Sequence, residues 1–80
     1  MKTISYTTSA TRQLRQRPAD IRERLIKKLR RCAETGSGDV KPLVGQTGAR
    51  LRAGDYRIIF VETSDAISIR AIGHRRDIYE

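Results

Sequence analysis

The stretch Leu51-Arg52-Ala53-Gly54-Asp55-Tyr56-Arg57-Ile58-Ile59-Phe60 reads as a β-hairpin. Its first arm extends back through Arg50, so Arg50-Leu51-Arg52 alternates, and Ala53-Gly54-Asp55 offers a tight turn. On the second arm, residues 56–62, Tyr56, Ile58 and Phe60 recur at a period of two and share one face. Thr63-Ser64-Asp65 makes a second turn. A last strand over 66–72 places Ile67 and Ile69 inward and Ser68 and Arg70 outward. Gly73 breaks this strand and 74–80 forms a short tail.

Working back toward the N-terminus, 2–7 alternates with Ile4 and Tyr6 on one side, which predicts a short strand. Thr8 and Ser9 supply capping hydroxyls for a helix that starts near Ala10 and ends near Gln16. A joint at 15–18 follows. Pro18 suits the first turn of a second helix, where its missing N–H is not needed. Ile21, Leu25, Leu29 and Cys32 then form one apolar stripe, and Gly36 ends the helix. The segment 36–41 reads as a polar loop. The class predicted is α+β: an N-terminal strand, a helical hairpin and a three-stranded antiparallel meander, with both helices on one sheet face. One domain is expected to span residues 1–80.

The charge balance narrows the function. Seventeen Lys and Arg against nine Asp and Glu leave a net charge of +8, which suits a polyanionic partner, most often nucleic acid. If Leu51, Tyr56, Ile58, Phe60, Ile67 and Ile69 face the helices, alternation turns Arg50, Arg52, Arg57 and Arg70 to the other side. Arg75 and Arg76 follow just past the last strand. Guanidinium groups in that number bind phosphates bidentately and stack on unpaired bases. RNA contacts are therefore expected from Arg50, Arg52, Arg70 and Arg76. His74, the sole histidine, and Tyr79 are the side chains in the tail able to move a proton.

Other classes of chemistry lack their signals. Cys32 is the one cysteine; it forms no internal disulfide and reads as a core residue on the helical stripe. No Gly-rich phosphate loop, serine nucleophile motif or zinc spacing is present, so neither a metal nor another cofactor is expected. The longest apolar run, Ile58-Ile59-Phe60-Val61, is far short of the roughly 20 residues of a membrane helix. The segment 1–5 has no apolar signal core. A cytoplasmic protein without a membrane partner is expected.

Three segments together carry a family resemblance: Lys41-Pro42-Leu43, the hairpin phrase Leu51 to Phe60 quoted above, and Ile72-Gly73-His74-Arg75-Arg76-Asp77-Ile78-Tyr79. With the element order and the basic helix pair, they resemble the RelE/ParE toxin superfamily, in its RelE-like branch, over nearly the whole chain. The resemblance implies the toxin of a type II toxin–antitoxin system. It would act as a ribosome-dependent endoribonuclease that cleaves mRNA in the 30S A site and so inhibits translation. The attacking group would be the RNA's own 2′-hydroxyl, leaving a cyclic phosphate and a free 5′-hydroxyl. Arg57, Arg75 and Tyr79 match the family's catalytic positions, whereas ParE-like relatives, which poison DNA gyrase, generally lack this set.

Stabilising charge on the phosphorane oxygens falls to Arg57 and Arg75 in this reading. Some RelE proteins place lysines on the strand where this sequence has Gly48 and Arg50; arginine is a poor general base, so His74 or Tyr79 takes the proton role. The resemblance also implies a cognate antitoxin that covers the basic surface, and contact with operator DNA only through that antitoxin. Two alternatives differ in kind: a ParE-like gyrase inhibitor without nuclease chemistry, and a degenerate toxin retained as its antitoxin's partner in repression.

Overall fold

The computed structural model describes residues 2–78. β1 (Thr3–Tyr6) leads into α1 (Thr8–Arg15) and α2 (Ala19–Thr35). β2 (Asp39–Pro42), β3 (Ala49–Ala53), β4 (Tyr56–Glu62) and β5 (Ala66–His74) follow. The sheet runs β1-β5-β4-β3-β2, antiparallel from β2 through β5, with β1 added parallel to β5. The α+β class stands.

Local chemistry accounts for the helices. The α1 cap is Thr7, one residue before the expected Thr8 and Ser9; its Oγ1 accepts from the Ala10 N–H at 3.1 Å. Pro18 lies at the N-cap of α2 rather than inside the first turn. Gly36 ends α2 in the left-handed region at φ 72° and donates its N–H to the Cys32 carbonyl. Leu25, Leu29, Cys32 and Ala33 of α2, with Ala10 of α1, pack on Leu51, Ala53, Ile58, Phe60, Ile67, Ile69 and Ile72. Both helices thus cover one face of the sheet. Burial pushes the Cys32 thiol up from its ordinary pKa, with Glu62 adding to the shift, as suits a core residue rather than a nucleophile.

Three expectations need correction. The segment expected as a loop over 36–41 contains most of β2, which pairs with β3 from Asp39↔Arg52 to Pro42↔Ala49. With Val40 as its sole apolar residue and every position exposed, β2 has no buried face to print a period on the sequence. Its charges and Pro42 protect an open sheet edge. Secondly, the meander is one part of a larger mixed sheet, because β1 lines up beside β5.

Thirdly, Gly73 does not end β5, which continues to His74. Ile59 pairs with Ala71 and Phe60 with Ile69, so Arg70 is the extra residue of a β-bulge. The bulge shifts the alternation by one: Ile67 and Ile69 point inward before it, Ile72 after it.

Candidate RNA interface

The β3–β4 register assembles the site. Directly opposed residues on neighbouring strands share a face. One row across the sheet therefore runs Asp39, Arg52, Arg57, Gly73, and the next runs Lys41, Arg50, Ile59, Ala71. Lys41 joins the basic face through β2; taking that segment for a loop hid it. Opposed arginines repel, so the row is unfavourable to the fold taken alone. Asp39 offsets part of this at 3.9 Å from Arg52, in an exposed pair worth little by itself.

Arg57 is held in place. Its Nη1 donates to the Gly54 carbonyl at 2.8 Å and to the Tyr56 carbonyl at 2.9 Å. The group is pulled below the ordinary arginine pKa by partial desolvation, then by the positive fields of Arg52, Arg50 and Arg75, against an opposing effect from Asp55. The fields of three further guanidiniums thus meet at Arg57. Such a cluster gains most from an anion that neutralises several members at once.

The tail is fastened to the same turn. The Arg75 N–H donates to the Asp55 carbonyl at 2.8 Å, and Arg75 Nε lies 3.9 Å from Asp55 Oδ1. A Cβ on Gly73 would stand 3.0 Å from Ile78 Cγ1. Any larger residue there would crowd Ile78, which lies over the strand on the Arg57 side of the sheet. Asp55, Gly73 and Ile78 escaped the sequence reading because their role is to seat the tail.

The remaining candidates separate. His74 pairs with Tyr56 on β4, and the two rings meet edge to face with centroids 5.7 Å apart. Its ring is therefore on the helix side of the sheet rather than in a loose tail. His74 Nδ1 accepts from the Arg76 N–H at 3.2 Å, which assigns the proton of the neutral ring to Nε2. Tyr56 packs against the core as expected and carries the Arg17 guanidinium 5.3 Å from its ring centroid. Arg70 stands in the bulge and is exposed, as is Arg76 in the turn after β5; neither is among the charges that bear on Arg57. Tyr79 lies outside the described residues. Among the described residues no helix is long and apolar enough to cross a membrane.

A family model for the ParE toxin of type II toxin–antitoxin systems matches residues 4–79. The chain belongs to that family of toxins. Solved structures bear out the wider RelE/ParE relationship. A chain of the RelB–RelE antitoxin–toxin complex from Methanococcus jannaschii is 28% identical, with 94% of each chain covered and a TM-score of 0.75. Two further structures share the fold: the RelBE2 toxin–antitoxin complex from Mycobacterium tuberculosis (23% identity, 92% and 98% coverage, TM-score 0.82) and the E. coli RelBE complex (20% identity, 92% and 96% coverage, TM-score 0.74). A search of curated protein sequences returns no match. The toxin is thus a type II toxin of the RelE/ParE superfamily.

Proposed function

We propose that the toxin is a ribosome-dependent endoribonuclease that cuts mRNA in the A site. The observation that carries this reading is the convergence of Arg50, Arg52, Arg57 and Arg75, with Arg57 tied to two carbonyls of the hairpin turn. In the cleavage step the 2′-oxygen forms a bond to phosphorus while the bond from phosphorus to the 5′-oxygen breaks. A base takes the 2′-proton and an acid returns one to the leaving 5′-oxygen. Negative charge grows on the non-bridging oxygens as this happens. Arg57 and Arg75 meet that charge, and Arg57, already oriented, needs little rearrangement to do so.

Arg50 and Arg52 hold flanking phosphates, and Arg70 and Arg76 extend the track. Of the two proton carriers expected, Tyr79 takes the role at the leaving oxygen, since the His74 ring packs on Tyr56 on the helix side of the sheet, away from Arg57. No cofactor enters the scheme. A cognate antitoxin, of the kind seen with the Methanococcus jannaschii relative, would cover the basic face and occlude it. Any operator contact would come through that antitoxin.

The test is primer extension on a translated reporter after induction of the toxin alone, beside Arg57→Ala/Arg75→Ala. Cuts within the translated frame that vanish in the double variant are expected. The match to the ParE family model favours one second reading, a gyrase inhibitor without nuclease chemistry. Growth arrest with an intact message and inhibited DNA supercoiling would establish it instead. Absence of growth arrest would leave a degenerate toxin.

A further inference from the structure

A second basic surface lies away from the arginine face of the sheet. Arg24, Lys27, Lys28 and Arg31 of α2 are all exposed and line one depression of about 220 Å³. Their spacing of i, i+3, i+4 and i+7 puts them on one flank of the helix, over a length of about 10 Å. The buried stripe of Leu25, Leu29 and Cys32 faces the sheet, so this flank is turned to solvent. Among the described residues none of the four forms an ion pair within 4.0 Å. The fold therefore leaves four like charges together, none closed into an ion pair, although Glu23 lies one turn before Lys27 and lines the adjoining depression with it.

We infer that this flank of α2 docks on the phosphate backbone of folded ribosomal RNA and seats the toxin on the ribosome, while the sheet face engages the message. The inference rests on the ribosome reading above. The chemistry favours RNA over a protein partner. A helix-binding protein surface needs apolar or aromatic anchors, and the depression is lined by cationic side chains alone. Without an aromatic ring there is no platform for base stacking. What remains is phosphate contact, which positions without reading sequence. A toxin that meets many different messages needs its fixed point on the invariant partner, and a second basic surface provides one without competing for the message.

The experiment measures co-sedimentation of the toxin with purified small ribosomal subunits over a range of salt. It compares the chain with Arg24→Gln/Lys27→Gln/Lys28→Gln/Arg31→Gln and with a charge-keeping control, Arg24→Lys/Lys27→Arg/Lys28→Arg/Arg31→Lys. Circular dichroism checks that both variants fold. The neutralised variant should bind at least about tenfold more weakly, with a log–log salt slope shallower by about 3, while the control keeps the original affinity. In single-turnover cleavage the same variant should need more ribosomes for half-maximal rate but reach the original maximum.

Equal affinity and slope for the neutralised variant would overturn the inference and leave the ribosome reading standing. A chain that does not sediment with ribosomes at all would overturn both. If neutralisation instead weakened binding to poly-glutamate and spared the subunits, α2 would be a docking face for acidic protein, and the inference would fall.

Discussion

Arg52 and Arg57 stand directly opposite one another on β3 and β4, so the sheet face opposes two cations where packing alone would select an attractive pair. Removing one should relieve the fold. Arg52→Ala is expected to stabilise the free toxin by about 0.2–1 kcal/mol, since the Arg52–Asp39 pair it breaks is exposed and contributes little. Urea denaturation reads the gain, and RNA binding should weaken in the same variant. A loss of stability would show that the repulsion is already neutralised in the free chain.

Arg57→Lys keeps the charge but cannot reproduce the two bonds to the Gly54 and Tyr56 carbonyls while offering further donors to a phosphate. If Arg57 stabilises the phosphorane, cleavage on ribosomes should fall by about 10²–10³-fold, the scale of losing one preorganised donor. Binding to ribosomes should change little. Lysine supporting near-normal cleavage would mean that only the charge matters.

The seating of the tail depends on the missing Cβ of Gly73. Gly73→Val would drive a branched side chain into Ile78, which is already 3.0 Å from an added Cβ, and should lift 75–78 from the sheet. Amide exchange at Arg75, whose N–H is bonded to the Asp55 carbonyl, should quicken markedly, while the core amides of β4 stay protected. Cleavage should drop with the displaced Arg75. Unchanged exchange at Arg75 would show that the Asp55 contacts hold the tail without Ile78.

Cys32 gives a prediction in pH. Its pKa is raised in the folded chain, first by burial. The unfolded thiol therefore ionises at a lower pH than the folded one. The stability tied to the neutral thiol is fully present below the unfolded value, about 8.5, and is lost as pH rises through the folded value. Cys32→Ala should remove that part of the alkaline decline in melting temperature. Native Cys32 should also alkylate slowly at mildly alkaline pH and rapidly in denaturant. An equal rate in both would place the thiol at the surface.

Phe60, among the most deeply buried large side chains, sets the scale of the core. Phe60→Ala should cost about 3–5 kcal/mol, close to the whole stability expected of a core this small. The isolated variant should be largely unfolded by circular dichroism at room temperature. A cooperative transition near that of the parent chain would mean the core collapses around the void.

How much was legible in the sequence follows from which residues leave a period. The hairpin over 51–60, the α2 stripe and the one-sided placement of Arg50, Arg52 and Arg57 could be read because burial on one face imposes alternation on the other. β2 imposed nothing, having no buried face, so Lys41 and its place beside Arg50 could be found only through pairing with β3. The β5 bulge at Arg70 is likewise silent, because an extra residue shows only when the opposing strand is in place.

By itself, then, the sequence determined the α+β class, the helix-covered sheet, the excess of positive charge and the family motifs, all consequences of local propensity and periodic burial. The tertiary structure alone decided which charges meet. It set the Arg52–Arg57 opposition by strand register, turned His74 onto Tyr56 rather than toward the arginines, and seated Ile78 over Gly73. Each of these depends on contacts between segments far apart in the chain, and no local pattern carries the distance between them.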